Sequence, residues 1–195
     1  MKVLALCGSP RKTGNTSYLL DIVVKEVIRR GHIAECLHLS ELDIADCNGC
    51  LMCEETECNG DCTINDAMQS IVIPQLLTSN AIVLGTPSYF DLPTAQIKRF
   101  MDRSNMVLNK LSNLRLRYGL VVVGQSEKKS LDATCRALRR YSRICGMKEV
   151  QGSPVRVIAR NEGDVHTDEA AIAAAIRLAR SLIGVRKVDN ERTAK

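Results

Sequence analysis

The chain has no tryptophan, two phenylalanines and four tyrosines in 195 residues. A nucleic-acid surface combines clustered basic residues with aromatic stacking platforms. Here the 27 Lys and Arg are scattered, and with 22 Asp and Glu they leave a formal charge of +5. That composition argues against nucleic acid and suits small anionic cofactors. No apolar run approaches the roughly 18 residues of a membrane helix. The opening "MKVLALCGSPRKTGN" has too short an apolar stretch for a secretory signal and no small-residue cleavage site. The expectation is a cytoplasmic protein with no membrane segment. Repeats and linkers are missing too, so residues 1–184 read as one domain and 185–195 as a polar tail.

What is present alternates strand with helix. "KVLALCG" is a short apolar run stopped by a loop, as in a buried parallel strand. From Asn15 to Arg30, Leu19, Leu20, Val23, Val24, Val27 and Ile28 recur at helical spacing until Gly31. "HIAECLHL" is a second strand, and residues 64–79 form a helix interrupted near Pro74. "AIVLGTP" and "YGLVVVG" are the third and fourth strands, followed by helices over 94–109 and 129–145. Residues 148–158 make a fifth strand, and 167–184 a last helix capped by Thr167 or Asp168. This pattern predicts an α/β fold: a doubly wound five-stranded parallel sheet with helices on both faces. Ligands of such sheets bind at the carboxyl ends of the strands, where strand order reverses. The loops over 8–17, 85–92 and 124–130 are therefore the candidate site.

The first of these, "GSPRKTGNTS", lacks the G-x-G-x-x-G of a dinucleotide loop and the Lys-Ser/Thr of a Walker loop. Its hydroxyls and glycines, with a helix N-terminus behind them, still suit an anion. The competing reading is a helix cap without a ligand.

Five of the nine cysteines fall in "CNGCLMCEETECNGDC", from Cys47 to Cys62. Persistent disulfides are uncommon in a reducing compartment. The usual structural zinc arrangement, two C-x2-C knuckles a dozen or more residues apart, is also absent. A redox dithiol of Cys50 and Cys53 leaves the other thiols unexplained. The C-x2-C-x2-C spacing of Cys47, Cys50 and Cys53 is that of the first three cluster ligands of bacterial ferredoxins, and favours a [4Fe–4S] cluster. Zinc and redox-active or structural thiols stand as alternatives. Cys7, Cys36, Cys135 and Cys145 read as small buried apolar residues.

Thr13-Gly14-Asn15-Thr16 resembles the phosphate loop of flavodoxins, and "GSPRKTGNTSYLL" resembles the opening of the NADPH-dependent FMN reductase family. "GTPSYFDLPTAQIKRFMDR" (85–103) is similar to that family's Gly-Ser-Pro-x-Tyr stretch and its helix ending Phe-x-Asp-Arg. With the cysteine run added, residues 1–150 resemble the iron–sulfur flavoproteins of methanogenic archaea and other anaerobes. The resemblance implies a flavodoxin-like fold with a cysteine-rich loop insertion, FMN, and one [4Fe–4S] cluster per subunit. It further implies a homo-oligomer, dimer or tetramer, that passes electrons between a ferredoxin-like donor and its flavin.

By the same resemblance Ser9, Arg11, Asn15, Thr16 and Ser17 contact the phosphate, and Thr86, Pro87, Ser88, Tyr89 and Phe90 line the ring. Cys47, Cys50 and Cys53 are cluster ligands. Cys58 is the fourth by spacing, and Cys62 is the alternative because "GDCTINDAM" matches the family's context around its last cysteine. None of the three histidines falls in these loops, which suits a carrier needing no general acid or base. The alternative function is an NAD(P)H-dependent FMN or quinone reductase whose cysteine segment binds zinc or no metal. A module used only for protein interaction would have no need of two flavin loops.

Overall fold

The computed structural model describes residues 1–55 and 62–184. Its centre is β1 (Lys2–Cys7), where Val3 to Cys7 are fully buried. Both faces of this strand are covered, hence its unbroken apolar run. β2 (Ile33–His38) pairs with one edge of β1 and β3 (Ala81–Tyr89) with the other, all parallel. β5 (Arg117–Gly124) follows on β3, so the chain winds outward from β1 in both directions. The reversal between β1 and β3 opens a crevice at the carboxyl ends of these strands.

Alternate side chains of β1 feed two cores. Val3, Ala5 and Cys7 pack with α1 (Asn15–Arg29) and α6 (Glu169–Leu182) through Leu20, Val27 and Leu178. Leu4 and Leu6 point the other way. They meet α3 (Ala95–Arg103), α4 (Leu108–Leu114) and α5 (Lys128–Ile144) through Phe100, Leu111 and Leu138. The period of two along the strand separates the layers. No helix among the described residues is long and apolar enough to cross a membrane.

Four local outcomes differ from the sequence pattern. The helix expected over 64–79 is a π turn (Met68–Val72) running into α2 (Ile73–Leu77), with Pro74 in the first turn of α2. Proline has no N–H to donate and its ring crowds the carbonyl four residues back, which the wider π turn relieves. The helix expected over 94–109 stops at Arg103; the tighter turn Ser104–Val107 then leads into α4. The Ser104 hydroxyl donates back to the Met101 carbonyl (2.8 Å) and meets the Tyr141 hydroxyl (2.8 Å).

The fifth strand is split into β6 (Lys148–Glu149) and β7 (Val155–Ile158), both paired with β5. Between them the Ser153 hydroxyl accepts from the Leu120 N–H (3.1 Å), so a side chain replaces a missing ladder partner. Finally, β3 outlasts the predicted strand and folds back on β4 (Leu92–Pro93) through Phe90 and Asp91. Both turn residues have positive φ, 50° and 64°, the backbone that a two-residue hairpin demands.

Candidate functional site

A cavity of about 440 Å³ opens at the carboxyl ends of β1, β3, β5 and β7. Ser9, Arg11, Gly14, Asn15 and Thr16 form one wall, and Pro87 to Asp91 of the β3–β4 hairpin form another. Gln125, Ser126 and Ser130 come from the loop after β5. A fourth wall, residues 159–162, follows β7. No motif in the sequence marks that loop, although in a parallel sheet every loop after a strand emerges at this end.

The first loop is wound around the backbone of Arg11. Ser9 Oγ accepts from the Arg11 N–H (3.1 Å), and both Ser9 Oγ and Ser17 Oγ donate to the Arg11 carbonyl (3.0 Å each). These bonds turn the chain into α1 without a side-chain cap. The N–H groups of Asn15, Thr16 and Ser17 meet no acceptor among the described residues, which leaves the positive end of a 15-residue helix facing the cavity. Lys12 is paired with Glu41 at 2.6 Å, whereas Arg11 lines the cavity.

Asn15 spends its amide on the fourth wall: Oδ1 accepts from the Gly163 N–H (2.9 Å) and Nδ2 donates to the Asn161 carbonyl (2.8 Å). Thr13 adds a bond to Glu162 (2.8 Å), and Asp164 folds the loop by accepting from the N–H groups of Arg160 and Asn161 (2.8 Å each). Gly8 brings the first loop against α3. A Cβ there would lie 2.2 Å from Ile97 Cγ1, so only glycine allows this approach.

Of the ten residues expected around a flavin, Ser9, Arg11, Asn15, Thr16, Pro87, Ser88, Tyr89 and Phe90 line this one cavity. Ser17 and Thr86 are buried outside its lining. The Ser17 hydroxyl holds the Arg11 carbonyl and lies 3.3 Å from Cys7 Sγ. Thr86 Oγ1 accepts from the Thr94 N–H (3.1 Å), and Thr94 Oγ1 donates to the Gly8 carbonyl (2.7 Å). The two threonines thereby lock the first and second loops together. Ser88 is tied to α5 through Thr134 Oγ1 (2.7 Å), and Phe90 is 100% exposed at the hairpin tip.

The cysteine segment follows β2 and so leaves from the same end of the sheet. Cys47 and Cys50 are exposed, and Cys53 and Cys62 are half-buried against the α3–α5 core. Cys58 lies outside the described residues. All four described thiols are free. The Met52 N–H, and then the Thr63 hydroxyl 3.6 Å away, stabilise a Cys50 thiolate and pull its pKa below the ordinary value. Cys53 Sγ accepts from Asn105 Nδ2 (3.4 Å), and the Cys62 side chain lies beside the Arg103 guanidinium.

Burial has the opposite effect on the remaining cysteines. It pushes Cys36 up to about 12 and Cys135 to about 11, and it raises Cys7 and Cys145. At Cys50 hydrogen bonds outweigh desolvation, whereas at the scattered cysteines burial dominates even where a hydroxyl is near, as Ser17 is to Cys7. Among the described residues, no three Cys, His, Asp or Glu side chains are gathered closely enough to hold a metal ion.

Residues 1–159 match the sequence model of the NADPH-dependent FMN reductase family. An iron–sulfur flavoprotein from Archaeoglobus fulgidus is 35% identical over 95% of either chain, and one from Methanocaldococcus jannaschii is 28% identical over 96% of this chain and 98% of its own. In fold the chain is similar to an NAD(P)H:quinone oxidoreductase from Methanothermobacter marburgensis, with a TM-score of 0.68 at 14% identity over 94% of this chain and 97% of that one. On these matches the chain belongs to the NADPH-dependent FMN reductase family and, within it, to the iron–sulfur flavoproteins.

Proposed function

We propose that this chain is an electron-transfer flavoprotein that binds FMN in the four-walled cavity and a [4Fe–4S] cluster in its cysteine segment. Its electrons come from a ferredoxin-like donor. The carrying observation is that an anion-ready cavity and a set of free, hydrogen-bonded thiols emerge from the same end of one sheet. When bound, FMN supplies two-electron and the cluster one-electron chemistry.

The residues fit an FMN. The uncapped N-terminus of α1, with Ser9, Arg11 and Thr16, suits a phosphate carrying close to two negative charges. The cavity volume falls within the range of about 300–1,000 Å³ usual for cofactor sites. Backbone groups of Pro87 to Phe90 and the amide of Gln125 suit the polar edge of a flat ring. The thiols also fit a cluster in kind: sulfur ligands supplied with N–H and O–H donors favour thiolate over thiol. Cys47, Cys50 and Cys53 would hold it, with Cys58 or Cys62 as the fourth ligand.

Assembly as a homodimer or tetramer follows from the same end of the molecule. Leu51, Met52, Tyr89, Phe90 and Leu92 are all exposed there, and a second copy would cover them. Sedimentation of the anaerobic protein as a loaded monomer would overturn this.

The test of function is anaerobic purification with iron supplied. The expected product contains FMN and about four irons and four acid-labile sulfides per subunit. A rapid anaerobic reaction with reduced ferredoxin should bleach both chromophores. The family's name favours a second reading, an NAD(P)H-dependent FMN or quinone reductase. Stoichiometric zinc without acid-labile sulfide, together with fast flavin reduction by NADPH, would put that reading first.

A further inference from the structure

The cysteine segment is closed at its base by one buried side chain of α3. Arg103 is 2% exposed. Its Nη1 donates to the Ala45 carbonyl (2.9 Å) and to Asp66 Oδ2 (2.6 Å). Its Nη2 donates to the Ile64 carbonyl (3.1 Å) and to Asp66 Oδ1 (3.2 Å). Asp66 in turn accepts from the N–H groups of Ala45 and Met68 (2.9 Å each). Residues 45 and 64–66 bracket all five clustered cysteines. One guanidinium and one carboxylate therefore draw both ends of the segment together.

The clasp is strong for a physical reason. Breaking a buried ion pair from one side leaves an uncompensated charge, which costs far more than losing an exposed pair. Exposed Asp46, which Arg99 of the same helix contacts at 2.7 Å, is the contrasting case. One donor of Arg103 remains. Its Nε is buried with no hydrogen-bond partner among the described residues, and the side chain of Cys62, the last of the clustered cysteines, interacts with the guanidinium. A buried unpaired N–H is costly unless something accepts from it, and a thiolate sulfur is such an acceptor.

We propose that Arg103, clasped to Asp66, is a positioning residue that holds the two ends of the cysteine segment together and directs its Nε–H to the sulfur of Cys62. This rests on the cluster reading above. Where Cys62 is the fourth ligand, a donor to its sulfur withdraws negative charge from the cluster, so Arg103 then raises the cluster potential as well as fixing the ends of the segment.

The test compares wild type with Arg103→Lys, Arg103→Gln and the surface control Arg99→Gln. FMN content reports the fold, and iron, sulfide and the midpoint potential report the cluster. Amide exchange at Ala45 and Met68 reports the clasp without needing a cluster. The expected result for Arg103→Lys is full FMN, a cluster lost or shifted to a more negative potential, and exchange at those amides faster by at least about tenfold, since charged hydrogen bonds are lost. Arg103→Gln should show the same in greater degree, and Arg99→Gln should match wild type.

If Arg103→Lys keeps its cluster, potential and slow exchange, the proposal is overturned. If both Arg103 variants lose FMN together with the cluster, the arginine supports the whole sheet and the proposal is equally overturned. Wild type without acid-labile sulfide would sink the cluster reading. A local rise in exchange in the variants would then still establish the clasp, and its absence would remove that too.

Discussion

Arg11 and Lys12 are adjacent in sequence and have different roles. Lys12 is spent on an exposed pair with Glu41, while Arg11 faces the cavity. Arg11→Ala should weaken FMN binding about tenfold, the loss of one charged contact. Lys12→Ala should change it by less than about twofold, as exposed pairs contribute little. Quenching of flavin fluorescence on titration with apoprotein measures both. Gly8→Ala should cost about 1–3 kcal/mol through overpacking against Ile97, read as a lowered urea midpoint. Which of the loop's hydroxyls faces a ligand was not legible in the sequence. Ser9 and Ser17 sit in one motif, and both donate to the same carbonyl, yet only Ser9 lines the cavity. The difference arises because Ser17 lies inside the first turn of α1 and points at β1, a matter of helix phase that spacing alone does not give.

At the scale of elements, Asn15 makes the fourth wall part of the first. Asn15→Ala should free residues 161–163. Amide exchange at Gly163 should quicken by roughly tenfold and FMN affinity should fall with it, while the sheet amides stay protected. No local signal could have announced this bond, since its partners lie 146 and 148 residues further along the chain. α1 and α6 are joined by a different device. Glu26 accepts from Arg29 and Arg30 of its own helix end and from Arg180 of α6, at 2.7–3.1 Å. The Arg29 fork leads these in holding its carboxyl at about 2, below the ordinary 4.5, despite burial. A depressed folded-state value stabilises the fold above the unfolded pKa, and the stabilisation disappears as pH falls through the folded one. Wild type should therefore exceed Glu26→Gln in stability at pH 7, with the gap closing between about pH 4.5 and 2 in urea melts.

For the whole molecule, the alternation of strand and helix was legible because central parallel strands are buried on both faces and show as unbroken apolar runs. The β3–β4 hairpin was not, because its left-handed turn residues are Phe90 and Asp91 rather than glycines. The two proposed cofactor sites hang from different strands, the cysteines after β2 and the phosphate loop after β1, and should be separable. Cys47→Ala or Cys50→Ala should lose most iron and sulfide yet keep FMN and an unchanged thermal midpoint. Between Cys58→Ala and Cys62→Ala, only the variant lacking the fourth ligand should behave the same way. The ion pair that closes the cysteine segment has one more consequence, in the order of synthesis. Its two halves are 37 residues apart, and the arginine is the later one. While the ribosome is making β3, all five clustered cysteines have been synthesised and the arginine has not. The segment gains its base only after α3 has emerged and docked, so iron delivered earlier would meet loose thiols. Maturation of the metal site therefore belongs to the end of folding, and starving cells of iron until translation is complete should not lower the final yield of the flavin-loaded sheet.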